Sequence, residues 1–296
     1  MMADQAEKLR QMTRKTAIIP KNFVVQEEEA STRIITITSG KGGVGKTNFT
    51  VNLALALAGQ QKKVLVIDAD LGMANVEVIL GHSAPYSILN LLEDGLNIQD
   101  IMADGPRGIK FLSGGSGIYH LANLNDAGLQ RVIQQIVSLE DWADVILIDT
   151  GAGISRNVLN FVMAADEVII VTTPEPTAIT DAYAMMKTYA GHQGTAPLKL
   201  VVNRVVEVEE GQIAVDKLIK VASRFLELSV TNLGFVYEDR NMVKAVKNQT
   251  PLLISFPDTI SARCIEDIAR RLLYGELVGR PKGLKSFFQK FMEMLN

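Results

Sequence analysis

Hydrophobic positions in this chain gather into short unbroken runs, separated by segments whose apolar residues recur at helical spacing. The runs are RIITITS (33–39), VLVID (64–68), VILIDT (145–150), EVIIVTT (167–173), LKLVVNR (198–204) and LGFVY (233–237). Continuous β-branched runs of this length predict strands buried on both faces, as in a parallel sheet. Between them lie helical patterns such as TNFTVNLALALAG (47–59), which stops at Gly59, and LQRVIQQIVSL (129–139). Alternating strands and helices predict a single-domain α/β fold, a doubly wound and mostly parallel sheet flanked by helices. Ligands in such sheets sit at the carboxyl ends of the strands.

The pattern divides the chain into a core at 31–278 and two end segments. Residues 1–30 begin with a short helical pattern and pass through Pro20 and the run Glu27, Glu28, Glu29, which reads as a linker. After the break GRPKG (279–283), the tail to residue 296 places Leu284, Phe287, Phe288, Phe291, Met292 and Leu295 on one helical face, opposite Lys285, Ser286, Gln289, Lys290 and Glu293. With Arg280 and Lys282 alongside, this amphipathic helix suits an anionic lipid surface, or alternatively a seat on the chain's own core.

Composition narrows the picture in three ways. With 47% of 296 residues hydrophobic, the chain can bury a substantial core. The one cysteine, Cys264, excludes a disulfide framework and a four-cysteine cluster within one chain, and fits a reducing compartment, so a cytosolic setting is expected. No apolar run reaches membrane-spanning length, the N-terminus lacks the apolar core of a secretion signal, and a net charge of −3 supplies no general attraction to nucleic acid.

Chemistry concentrates first in SGKGGVGKT (39–47), between a strand and a helix. It satisfies G-x-x-x-x-G-K-[ST] from Gly40 to Thr47, the phosphate-cradling loop in its required context. Gly40, Gly42, Gly43 and Gly45, with Lys41, Val44 and the helix-opening Asn48, would let backbone N–H groups converge on phosphate oxygens. Lys46 would reach the β- and γ-phosphates, and the Thr47 hydroxyl suits Mg²⁺. One lysine suffices for that task, and the loop carries two. Lys41 precedes the wrap around the phosphates, so it reads either as a solvated lysine or as a cation for a facing subunit's phosphates. Two strands ending in aspartate, at Asp68 and Asp149, add the carboxylate that a metal carrying a triphosphate needs, although an aspartate at a strand end is also a common helix cap.

KGGVGKT resembles the deviant Walker A loop of the MinD/ParA ATPases, and the resemblance extends over about residues 33–275. It implies ATP, ADP and Mg²⁺ as ligands, slow hydrolysis, and a homodimer closed by ATP in which Lys41 crosses to the partner's phosphates. DADLGMANVE (68–77) resembles the family's first switch, with Asp70 on the attacking water and Asp68 supporting the metal site. DTGAG (149–153) resembles Walker B and the second switch, with Asp149 holding Mg²⁺ through water and Gly151 near the γ-phosphate. Asn203 and Arg204 in VVNR, and Tyr237 and Glu238 in YED, fall where the family encloses adenine and ribose.

DQAEKLR (4–10) is similar to a segment of the family's flagellar number and placement regulators. There Asp4, Gln5, Ala6, Leu9 and Arg10 would engage and stimulate FlhF, a signal-recognition-type GTPase. The same resemblance implies flagellar switch-complex proteins and a flagellar transcription regulator as further partners, and cycling onto the cytoplasmic face of the membrane when ATP is bound. A division-site regulator and a DNA-binding partition ATPase remain alternatives. For the latter Lys244, Lys247, Arg263, Arg270 and Arg271 would form the patch, but the hydrophobic tail argues against DNA binding, and Cys264 alone argues against an iron-sulfur scaffold.

Overall fold

The computed structural model describes residues 32–70, 75–93, 95–114, 117, 120, 124, 126–275 and 281–295. The segment containing Asp4, Gln5, Ala6, Leu9 and Arg10, the middle of the first switch-like stretch (71–74) and Arg280 lie outside the described residues.

Eight strands form one sheet: β1 (Arg33–Thr38), β2 (Val64–Ala69), β3 (Ala103–Asp104), β4 (Lys110–Ser113), β5 (Val145–Thr150), β6 (Glu167–Thr172), β7 (Leu198–Val205) and β8 (Val230–Tyr237). Their order is β3-β4-β2-β5-β1-β6-β7-β8, parallel throughout except where β3 meets β4. The doubly wound sheet read from the apolar runs is therefore observed. β1, β2, β5 and β6 are buried at every residue, which is why they read as unbroken runs rather than alternating ones. β3 and β4 were not legible as strands: they are short, lie at the edge, and carry Asp104, Lys110 and Ser113. β8 starts earlier than its apolar run because Val230, Thr231 and Asn232 pair with β7, although Thr231 faces solvent.

Side chains alternate across the sheet into two apolar layers. Ile34, Ile67, Ile148, Ile170 and Val202 point to one; Ile35, Val66, Leu147, Ile169 and Val201 point to the other. The second layer holds α1 (Lys46–Gly59), α2 (Asn75–Leu80), α7 (Arg240–Lys247) and α8 (Ile260–Tyr274). Helix α1 is apolar nearly all round because it is enclosed between the sheet and α8.

The first layer holds α3 (Asp126–Val137), α4 (Arg156–Ala164), α5 (Pro176–Gly191), α6 (Val208–Leu226) and the tail helix α9 (Gly283–Leu295). Leu284, Phe287, Phe288, Phe291 and Met292 are buried, Leu295 is half-buried, and the Phe291 ring lies 4.7 Å from that of Phe161 on α4. Asp166 accepts the Lys282 N–H at 2.8 Å and Glu140 accepts the Leu284 N–H. At the other end Arg156 donates to the Met294 and Leu295 carbonyls at 2.9 and 3.3 Å. Acid at the N-terminus and a guanidinium at the C-terminus satisfy the groups a helix leaves unpaired. Of the two seats open to this face, the structure displays the one on the chain's own core. The six residues assigned to lipid are turned inward here, because each large apolar side chain buried contributes about 1.5–3 kcal/mol.

Candidate active site

The phosphate-type loop joins β1 to α1 at the carboxyl edge of the sheet. Its turn depends on glycines at specific points. Gly45, the residue before α1, has φ 87°, and a Cβ there would strike the Asn203 amide nitrogen. At Gly40 a Cβ would run into the Asp181 carbonyl of α5. Gly43, at φ 81°, has open space where its side chain would be.

Below the loop, Asp149 gathers three donors. Its Oδ1 accepts from Lys46 Nζ at 2.9 Å and Thr50 Oγ1 at 2.8 Å, and its Oδ2 accepts from Thr47 Oγ1 at 2.7 Å. Asp149 is fully buried and Lys46 is 7% exposed, so this is a desolvated ion pair completed by hydroxyls. A hydroxyl and a carboxylate oxygen side by side, under a loop rich in backbone N–H groups, form the hard-oxygen pair that suits Mg²⁺ carried on a polyphosphate, so the residues present fit that ion. Thr50 was not singled out in the sequence; its signal is a hydroxyl four residues after Lys46, on the same helical face.

Asp68 stands beside Asp149 in register on β2. Its carboxylate accepts the Asp70 N–H at 3.1 Å and the Val76 N–H at 3.0 Å, tying both ends of the segment that contains residues 71–74. These are the contacts of a capping carboxylate, and the place beside Asp149 is the one from which it would support a metal site. Burial pushes its carboxyl from 3.8 up to about 6, partly offset by these N–H donors, with the Asp149 charge raising it further. A carboxyl raised in the folded state stabilises the fold fully below its unfolded value and loses that contribution as pH rises through about 6. The stability difference between the parent and Asp68→Asn is expected to fall by about 2 kcal/mol from pH 4 to pH 7, read by urea unfolding at each pH. A pH-independent difference would contradict this assignment.

Asp70 lies next to the second glycine segment: a Cβ placed on Gly151 would sit 3.7 Å from Asp70 Oδ1. Asn75 Nδ2 holds Asp70 Oδ2 at 3.3 Å, and Gly153 N–H donates to the Ser39 carbonyl at 2.8 Å, joining this segment to the phosphate-type loop. Lys41 takes a different course. Its Nζ is 3.1 Å from Glu175 Oε2 and 2.9 Å from Thr177 Oγ1, at the start of α5, in a half-exposed position. One lysine is thus buried under the loop, and the other is directed to Glu175 and Thr177, neither of which contacts Asp149.

The base-and-ribose residues are only partly brought together. Asn203 Nδ2 donates to the Val44 carbonyl at 2.7 Å and the residue is buried, so its amide braces the loop from the end of β7. Arg204 sits at a register shift between β7 and β8 with φ 61° and pairs with Glu238 at 2.8 Å on the exposed rim, beside Tyr237. A non-glycine residue with positive φ at such a rim is unusual and is what turns the guanidinium outward.

A glycine loop at the carboxyl edge of a parallel sheet, with lysine, threonine and aspartate converging beneath it, defines a P-loop nucleoside triphosphatase. The chain belongs to the ParA/MinD family: residues 30–273 match the ParA family, described as NUBPL iron-transfer P-loop NTPase. Its relatives include the Antiactivator FleN of Pseudomonas aeruginosa, 37% identical over 86% of this chain and 91% of that protein. The Flagellum site-determining protein YlxH of Helicobacter pylori is 36% identical over 93% of this chain and 94% of its own. Among solved structures, the septum site-determining protein MinD with Mg-ADP from Pyrococcus horikoshii matches with a TM-score of 0.64 and 27% identity, over 81% of this chain and 96% of that one. The protein is therefore a P-loop ATPase of this family. Its one cysteine, Cys264, leaves the iron-transfer theme of the family description without a cysteine pair. No helix among the described residues is long and apolar enough to cross a membrane.

Proposed function

We propose that this ATPase is a flagellar number and placement regulator that cycles between a cytosolic monomer and an ATP-closed homodimer on the membrane. The supporting observation is that one chain carries both a lysine directed out of its own pocket and an apolar tail seated on α4, the helix that follows Asp149 and Gly151. The flagellar part rests on FleN and YlxH, whose likeness spans most of both chains.

In this reading the backbone N–H groups from Gly40 to Thr47 and the Lys46 ammonium bind the ATP phosphates, and binding draws Lys46 from Asp149 toward the β/γ oxygens. Thr47, and Asp149 through water, would hold Mg²⁺, which would neutralise phosphate charge. Asp70 orients water as its oxygen bonds to the γ-phosphorus and the bridge to the β-phosphate breaks, while Gly151 N–H and the partner copy's second lysine stabilise the charge that develops. Asn203 stiffens the loop and offers its amide to an adenine edge, and Arg204, Tyr237 and Glu238 form the rim that meets base and ribose. Residues 1–30, through Asp4, Gln5, Ala6, Leu9 and Arg10, stimulate an FlhF-type GTPase. Switch-complex proteins and a transcription regulator complete the partner set.

Closure moves the segment from Gly151 to α4, and α4 carries the Phe161 and Arg156 contacts that hold α9. Release would expose the Phe287, Phe288 and Phe291 face to anionic lipid. One helix of this length adsorbs weakly, and two on a dimer act together, so binding rises steeply on pairing. The test is co-sedimentation with anionic vesicles: a several-fold larger bound fraction with ATP than with ADP, lost on deletion of residues 279–296. Equal sedimentation with both nucleotides defeats the coupling. DNA binding is less well supported, since Arg270 pairs with Asp267 and Arg271 donates to the Leu233 carbonyl at 2.8 Å, which occupies part of the basic patch.

A further inference from the structure

On the outer side of the first layer, α5 and α6 enclose an open groove of about 260 Å³, floored by Ile179, Tyr183, Leu218 and Val221 and bordered by Lys217 and Phe225. The face of α6 that packs inward carries Ala214, Val215, Leu218 and Ala222, and meets the groove floor at Leu218. Outside it, Ile213, Lys217, Val221 and Phe225 recur every four residues and form one ridge. Ile213 is 66% and Phe225 63% exposed, a large apolar investment on a face that would ordinarily be polar.

Lys217 is the cation that lines the groove, and Lys220 and Arg224 follow it along the exposed side of α6. Lys217, Lys220 and Arg224 are exposed, and among the described residues no carboxylate is ion-paired to any of them. The nearby Asp216 accepts instead from Gln212 at 2.8 Å. The Arg224 guanidinium lies 5.4 Å from the centre of the Phe225 ring, which steadies the aromatic edge. In a chain of net charge −3, an apolar channel with a cationic rim stands apart from the average surface.

We infer that the α5–α6 groove docks an acidic amphipathic helix of a partner protein, its apolar stripe on Tyr183, Val221 and Phe225 and its carboxylates on Lys217, Lys220 and Arg224. A recessed channel between two helices fits a rod that presents apolar residues at helical spacing, whereas a lipid surface is flat. A second copy is disfavoured by charge: a two-fold contact through this face would set the same three cations against themselves. This inference does not depend on the flagellar reading or on tail release.

The test uses the full chain and two fluorescent synthetic helices with the same Leu/Phe stripe, one flanked by Glu and the other by Lys. The Glu helix is expected to bind with a Kd of tens of micromolar and at least about tenfold more tightly than the Lys helix. Phe225→Ser should weaken it about tenfold, and Lys217→Glu with Arg224→Glu should invert the preference between the two helices. These side chains are exposed, so the thermal midpoint and ATPase rate should stay at parent values. Equal binding of both helices, or variants that bind like the parent, overturns the proposal. Loss of anionic-vesicle binding in Phe225→Ser with helix binding intact would make the groove a lipid contact. Nucleotide-independent dimers that Phe225→Ser dissolves would make it a self-contact, and either result overturns the proposal as well.

Discussion

Asp149→Ala is expected to reduce Mg²⁺-dependent ATP hydrolysis to below about 1% of the parent and to cost about 3–5 kcal/mol of stability. Both effects come from one carboxylate. It is the buried acceptor for Lys46, Thr47 and Thr50, so its removal leaves an ammonium 7% exposed without its counter-charge and the Thr47 hydroxyl without its acceptor, while Thr50 keeps the Lys46 carbonyl at 3.0 Å. Removing one member of a buried pair costs far more than the pair itself contributes, because the remaining charge stays desolvated. In the proposed role the same oxygens hold the metal, so catalysis fails even in molecules that fold. Urea unfolding measures the first effect and phosphate release with excess Mg²⁺ the second. Asp149→Asn separates them: it keeps an oxygen acceptor for Thr47, so it should recover part of the stability and little of the turnover. Parent-like turnover in Asp149→Ala would remove this residue from the mechanism.

Lys41→Ala should behave in the opposite way. Its ammonium makes one half-exposed contact with Glu175 and one with Thr177, and a surface pair of this kind contributes about 0–1 kcal/mol, so folding should be unchanged. Binding of nucleotide to the monomer should also stay close to the parent, because the phosphates of its own pocket are served by Lys46. What should disappear is ATP-dependent pairing, and with it hydrolysis, by on the order of 10³-fold, the range over which a cation supplied in trans acts. Sedimentation velocity with a slowly hydrolysed ATP analogue reads pairing, and phosphate release reads chemistry. A Lys41→Ala chain that pairs and turns over like the parent would show that this lysine serves only Glu175 and Thr177.

Much of the site was legible because its parts are local. Gly40 to Thr47 form one loop whose spacing encodes a phosphate cradle, and the strands ending in Asp68 and Asp149 are uninterrupted apolar runs, as strands buried on both faces must be. What the sequence did not show are contacts made between separate segments of the chain. The Asn203 amide nitrogen is taken by Val44, 159 residues away, and no spacing rule reports that. Asp68 acts as a cap because Val76 returns to it, and the edge strands β3 and β4 escaped notice because half-solvated edges do not need apolar runs.

The tail shows the division most clearly. Its own residues determined an amphipathic helix, since the apolar positions recur at three and four and nothing beyond the helical repeat is needed to align them. The sequence likewise determined the fold class, the phosphate-type loop and the presence of a second lysine. Only the tertiary structure decided which surface the tail covers, where Lys41 points and what Asp149 holds. Those outcomes depend on partners brought together by folding, Phe161 and Arg156 for the tail, Glu175 and Thr177 for Lys41, Lys46 and Thr50 for Asp149. Periodicity states which face of an element must be covered; the long-range packing of the chain chooses what covers it.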